Sequence, residues 1–169
     1  MIAAAGLALV LTACVSTVPT VDLGRYVGHW YQPKGYEQPF TAGLVGITAD
    51  YGVNADGTVS VFNRGYRGSC DGPVSDIVGT ATVVDTTTNA KLEVRFPSVP
   101  ITTVVPGQYW IIGLDRDYQW AVVSDSVRAS LFVLSRTPQL TPEAAAAVDA
   151  IITDQGFDPA RVQDFATCP

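Results

Sequence analysis

Along Lys91-Leu92-Glu93-Val94-Arg95-Phe96, charged and apolar side chains alternate without a break. A period of two is that of a strand with one face in water and the other on a core, so Leu92, Val94 and Phe96 share the inner face. Runs of similar length, rich in β-branched and aromatic residues, recur at Trp30–Tyr36, Leu44–Val53, Val59–Tyr66, Ser75–Val84, Lys91–Phe96, Tyr109–Leu114, Gln119–Ser124 and Leu131–Arg136. Their spacing predicts an all-β barrel or sandwich. The stretches Asn54-Ala55-Asp56-Gly57, Thr86-Thr87-Thr88-Asn89 and Asp115-Arg116-Asp117 are rich in residues that bond their own backbone or tolerate positive φ, and so read as turns. Connections this short join antiparallel neighbours.

Beyond the last strand the period changes. Thr141-Pro142-Glu143 supplies an N-cap, a proline at the first helical position and an acid at the positive end of the dipole, and Gly156 supplies the stop. Ala145, Val148, Ile151 and Ile152 fall on one face, predicting a helix packed on the outside of the sheet. A helix lying on a membrane would carry a Lys-rich polar face, which this one lacks. Arg161–Phe165 reads as a last short strand added at an edge, and Val21–Tyr26 as a turn of helix capped by Asp22. Pro33-Lys34-Gly35 is expected to interrupt the first strand.

The same alternation turns Ile77 and Ala81, Tyr109 and Ile111, and Phe132 and Leu134 inward. Val61 and Asn63 share a face of the third strand, and Asn63 would be a rare polar group there. On an up-and-down path the eighth strand returns to the end where the first begins, so Arg136 arrives beside Trp30 together with the turn at 115–118. The loops 38–43, 68–73, 97–107 and 125–130 then ring the other end as a mouth. Residues 98–105 are unusually apolar for a loop and read as a lid or entrance, or as a loop folded over its own core. Eight strands leave room inside for one small ligand, or for a filling of side chains.

Gly28-His29-Trp30, the turn Asp115-Arg116-Asp117-Tyr118 and Leu131–Pro138 with its Arg136 occur in the order found in lipocalins. The chain resembles that family from Val21 to about Pro169, specifically its bacterial lipoprotein branch. It departs from the pattern at Pro33-Lys34-Gly35 and in lacking a Thr before Asp115. The resemblance implies a closed eight-stranded antiparallel up-and-down barrel with the C-terminal helix outside. It also implies structural, barrel-closing roles for Gly28, Trp30 and Arg136, in which the guanidinium stacks on the indole.

At 169 residues the chain suits one domain. Its net charge of -6 argues against nucleic acid or an anionic lipid surface as partner. Ile2–Leu11 is apolar, and Leu11-Thr12-Ala13-Cys14 resembles the lipobox of bacterial lipoproteins. This predicts a signal peptide over 1–13, an acylated Cys14, a tether over 14–20 and the barrel domain over 21–169. An ordinary signal peptide or a buried strand is the alternative. No Lys or Arg precedes the run, and a complete signal peptide would begin further upstream. The tether is expected to join at the end where Trp30 lies, holding the closed end to the bilayer and turning the mouth away or sideways.

Removing Cys14 leaves Cys70 and Cys168 as a pair in an oxidising compartment, where they are expected to form a disulfide; two free thiols are the alternative. No metal site or cofactor is expected from one His and no ligand-spaced cluster. His29 has no nucleophile to serve, which argues against an enzyme.

The predicted function is a lipid-anchored, envelope-located binder of a small lipophilic molecule of the fatty-acid or lysophospholipid class, for transport, storage or membrane maintenance. It would sit at the outer membrane or the outer face of the plasma membrane. The candidate ligand-binding residues are Val61, Asn63, Ile77, Ala81, Leu92, Val94, Phe96, Tyr109, Ile111, Phe132 and Leu134. An envelope interaction protein with a filled barrel, and an enzyme on a lipophilic substrate, are the rival readings. Nothing in the sequence sets the oligomeric state.

Overall fold

The computed structural model describes residues 14–168; the apolar run read as a signal peptide lies outside them. Asp22 caps a single helical turn, α1 (Leu23–Tyr26), by accepting from the Arg25 amide. Eight strands follow: β1 (Gly28–Tyr36), β2 (Leu44–Val53), β3 (Val59–Arg67), β4 (Val74–Val83), β5 (Lys91–Arg95), β6 (Gly107–Leu114), β7 (Trp120–Ser124) and β8 (Leu131–Ser135). Each pairs antiparallel with the next, and β1 pairs with both β2 and β8. The sheet therefore closes into a barrel, which removes the exposed edges an open sheet would leave.

Two clusters hold the fold. Inside the barrel, Trp30, Val61, Leu92, Ile111, Val123 and Leu134 pack with Val21 and Tyr26 of the N-terminal segment. Outside it, α3 (Pro142–Asp154) presses Val148 and Ile152 onto Ile112, Val122 and Val133. Its start is the expected one, with Thr141 Oγ1 accepting from the Ala144 amide at 3.2 Å. A short helical turn, α2 (Ile101–Val104), sits in the β5–β6 connection.

Pro33 does not end the first strand. β1 absorbs it as a bulge, its register against β8 shifting between Tyr31 and Lys34, which is where a residue without an N–H is tolerated. Below the bulge Gly28–Tyr31 pairs with β2; above it Lys34–Tyr36 leaves β2 and pairs instead with β9 (Val162–Asp164). The last strand thus fills a seam in the wall between β1 and β2. Phe165 N donates to Pro33 O at 2.8 Å, and Gly46 N donates to Ala166 O at 2.7 Å. Cys168 is joined to Cys70, which ties the tail to the β3–β4 loop. Gly46 makes this crossing possible: its φ is +59°, and a Cβ there would collide with Cys168 Sγ.

Residues 15–21, expected to leave the barrel from the end marked by Trp30, are instead docked against it, Val21 and Val18 on the inner cluster at the base and Val15 on the outer cluster. Val21 N donates to Thr88 O at 2.7 Å, Val18 N to Ile111 O at 2.9 Å and Ser16 N to Gln155 Oε1 at 3.0 Å. Val15 and Val21 are buried, so a stretch that reads as a small-residue linker gains enough apolar contact to dock.

Candidate functional site

The closed end is built on one cation. Arg136 leaves the end of β8 with its Cζ 3.6 Å from the centroid of the Trp30 ring. It donates from Nη2 to the carbonyls of Arg25 (2.9 Å), Tyr26 (3.0 Å) and Val27 (2.9 Å), and from Nη1 to His29 O (2.7 Å). Carbonyls at a helix C-terminus have no partner within the helix, and a guanidinium there satisfies several at once. Trp30 Nε1 donates to the same Tyr26 carbonyl at 2.8 Å. Gly28 is required at this crossing, because its φ is +102° and a Cβ would lie 3.3 Å from Arg136 Nη1. The 115–118 turn joins the same end, with Arg136 Nε donating to Tyr118 O at 3.3 Å and Tyr118 Oη accepting from Asp22 N at 2.9 Å.

Above this base lies a floor of three tyrosines. Tyr26 and Tyr109 share a hydrogen bond of 2.7 Å, and Tyr109 Oη donates to Tyr51 Oη at 3.2 Å. Burial pushes the Tyr51 hydroxyl up to about 12, against the bond from Tyr109, and pushes Tyr26 and Tyr109 well above the usual phenol value, these two each reinforced by a tyrosine neighbour. All three are neutral donors at physiological pH. Each hydroxyl has a single hydrogen. With the Tyr109 hydrogen on Tyr51, and Tyr26 donating to Tyr109, the Tyr51 hydrogen is unspent, and Tyr51 lines the space above.

That space is a cavity of about 680 Å³, within the roughly 300 to 1,000 Å³ of small-molecule sites. Its wall is mostly aliphatic and aromatic, contributed by every barrel strand except β7. Among the polar side chains that interrupt that surface, two amides stand out. Gln32, only 6% exposed, has Nε2 buried without a partner, and so has Asn63 at Oδ1. Buried polar atoms are usually paired, so two orphans lining one cavity mark a place where a guest's polar atoms would fit. Near the rim the Arg64 and Asp76 side chains, paired through two 2.8 Å bonds, also line the cavity, together with Arg67.

Val61, Asn63, Ile77, Ala81, Leu92, Val94, Phe96, Tyr109, Phe132 and Leu134 all contribute to the cavity wall. Ile111 does not: it is fully buried in the inner core cluster, with Trp30 and Val123, and its side chain is absent from the wall. The sequence reading missed Gln32, Tyr26 and Tyr51. Tyr51 was detectable, since Ile47, Ala49 and Tyr51 alternate on β2, but the Gly46 irregularity masks the pattern. Within the 98–105 loop, Val99 and Thr102 line the cavity, while Ile101, Val104 and Val105 project outward. Thr102 Oγ1 accepts from Phe96 N at 2.8 Å, fixing the loop as part of the rim.

His29 lies outside the cavity, paired with Asp50 at 2.8 Å. Among the described residues, no group of three His, Cys, Asp or Glu side chains converges.

A closed antiparallel barrel, sealed at one end by a Trp–Arg stack and hollow toward the other, with a helix on its outer wall, defines a small ligand-holding barrel. Residues 21–167 match the family model described as a lipocalin-like domain, and the chain belongs to the lipocalin family. It is 34% identical over 166 residues to the outer membrane lipoprotein Blc of Escherichia coli K12, covering 94% of this chain and 90% of that one. It is 31% identical over 157 residues to mouse apolipoprotein D, covering 88% of this chain and 79% of that one. Among solved structures, insecticyanin of the tobacco hornworm Manduca sexta superposes with a TM-score of 0.70 at 16% identity, over 91% of this chain and 85% of that one. That likeness extends to the fold.

Proposed function

We propose that this lipocalin is held by acyl chains on Cys14 at a bacterial envelope membrane, and that it carries a small lipophilic molecule of the fatty-acid or lysophospholipid class in its barrel. Transport, storage and membrane maintenance are all served by such a carrier. The observation that carries the reading is the 680 Å³ cavity, whose largely apolar wall would exclude water from a chain while two orphan amides engage its polar portion. Among the described residues, the cations that line the cavity are Arg67 and the Asp76-paired Arg64, both near the rim, so an anionic head belongs toward Arg67 with the tail below. Cys14 is exposed and unpaired, as an acylation site requires, and the similarity to Blc, a lipoprotein of the outer membrane, supports the envelope location.

The open cavity disfavours a filled barrel with a purely structural role. The buried tyrosines bond one another, and burial holds them neutral, so they supply neither a base nor an activated nucleophile. Titration of the delipidated protein with a fluorescent fatty-acid analogue tests the reading. Saturable binding, displaced by lysophospholipid or fatty acid and weakened by Ala81→Trp inside the barrel, is expected. Failure to bind either class would refute it.

A further inference from the structure

The docked N-terminal segment decides which end of the barrel meets the membrane. Val21 lies at the closed end, bonded to Thr88 of the β4–β5 turn, and Val18 lies halfway up β6 against Ile111. Ser16 is gripped from both sides by Gln155, whose Nε2 donates to Ser16 O at 2.9 Å while its Oε1 accepts from Ser16 N at 3.0 Å. Gln155 follows the last turn of α3, and its backbone carbonyl accepts from Arg128 Nε at 2.6 Å. Arg128 belongs to the 125–130 loop at the mouth. The chain from Val21 back to Cys14 therefore climbs the wall from base to mouth, a span of seven residues that covers roughly 23 Å when extended. Cys14 emerges at the open end.

The open end is also the apolar end. Phe40 (70% exposed), Ile101 (65%), Val104 (79%) and Val127 (74%) project from its loops, joined by Val74, Val99 and Val105. At the closed end, the large apolar side chains exposed among the described residues are Val53 and Val84. Loops 38–43 and 97–106 contain no charged residue, so pressing them into an interface desolvates no ion. Of the charges in the other two, Asp125 is tied to its own loop and Arg128 to Gln155, which leaves Asp71 exposed in the 68–73 loop. A net charge of -6 opposes attraction to anionic lipid, which leaves apolar contact as the driving force.

We infer that the rim formed by Phe40, Ile101, Val104, Val105 and Val127 dips into the interface of the same membrane that holds Cys14, and that residues 15–21 act as a strap that fixes this posture. The cavity then opens onto its own membrane, so that lipid enters and leaves without crossing water. This rests on the acylation of Cys14 proposed above. The strap, the rim and the position of Cys14 point to a bilayer of zwitterionic lipid as the occupant.

The test uses the mature lipidated protein in vesicles of phosphatidylethanolamine and phosphatidylcholine. With Cys14 acylated and Cys70 bonded to Cys168, a single cysteine placed by Thr103→Cys or Asp117→Cys can be spin-labelled alone. The label at 103 should be accessible to oxygen in the lipid phase and shielded from an aqueous nickel chelate, and the label at 117 the reverse. Ile101→Asp with Val104→Asp, checked for an unchanged fold by circular dichroism, should abolish the lipid contact at 103 while the protein stays on the vesicle. An acylated protein with both labels in water, or with 117 deeper than 103, overturns the orientation alone. A protein whose Cys14 carries no acyl mass overturns the anchoring on which the orientation depends, and the orientation with it.

Discussion

The guanidinium of Arg136 lies on the indole of Trp30, with Cζ 3.6 Å from the ring centroid, and reaches across it to the carbonyls of Arg25, Tyr26 and Val27. One side chain thereby joins the last strand, the first strand and the helical turn that closes the barrel. The pair is remote from the mouth and contributes no atom to the cavity wall.

Truncation of either residue should therefore cost stability without selecting among ligands. Trp30→Ala removes a fully buried large aromatic, worth about 3 to 5 kcal/mol, and should lower the melting temperature by roughly 10 °C. Calorimetry with and without bound lipid checks this. A variant that keeps its melting temperature but loses ligand would contradict the structural role.

The disulfide staples the seam-filling tail. Its cysteines are 98 residues apart, and closing a loop of that size in the unfolded chain contributes about 4 to 5 kcal/mol in the entropic account. Cys70→Ser with Cys168→Ser should lower stability by up to that amount. It should also speed hydrogen exchange at the Gly46 and Phe165 amides, which bond to and from the tail, ahead of amides in β6 and β7. Uniform acceleration across the barrel would show that the tail is no separate unit.

Much of this was readable from side-chain periodicity. Leu92, Val94 and Phe96 alternate so regularly that their facing could hardly be mistaken, and the position of Arg136 follows from strand parity. What escaped the pattern lies where the chain breaks its own period. Pro33 hides that Gln32 points inward, and Gly46 shifts the phase of β2 ahead of Tyr51. The strap escaped for another reason: Val15, Val18 and Val21 sit among small residues with no strand or helix period, and only the folded barrel gives their burial a place, Val18 and Val21 on the inner cluster and Val15 on the outer one. Ile111 was read correctly as inward, but periodicity carries no height along the barrel axis, so its place in the packed core could not be foreseen.

Acid should loosen the mouth through Asp125. Burial works to raise its pKa, but the Ser130 hydroxyl and the amides of Val127, Ala129 and Ser130 outweigh that and lower it. A carboxylate held below its unfolded value, about 3.9, stabilises the loop above that value and loses the contribution as pH falls through the folded one. The stability difference between wild type and Asp125→Asn should be clear at pH 7 and shrink progressively as pH falls below the unfolded carboxylate value. A difference that stays constant would assign the loop to packing.

The orphan amides should trade stability for binding. Gln32→Leu and Asn63→Leu each remove a buried polar atom that has no partner, and should leave the melting temperature of the ligand-free protein unchanged or raised. Each should weaken ligand by roughly 2- to 10-fold, the worth of one hydrogen bond. Unchanged affinity in both variants would show that water, and not the guest, completes these groups.

Native mass spectrometry of the protein purified from its own host, with lipid extraction of the same sample, tests the central claim most directly. The expected result is a one-to-one non-covalent adduct whose extracted mass is that of a fatty acid or lysophospholipid, lost when Ala81→Trp fills the barrel. A protein that arrives empty, and stays empty after incubation with both lipid classes, would contradict it.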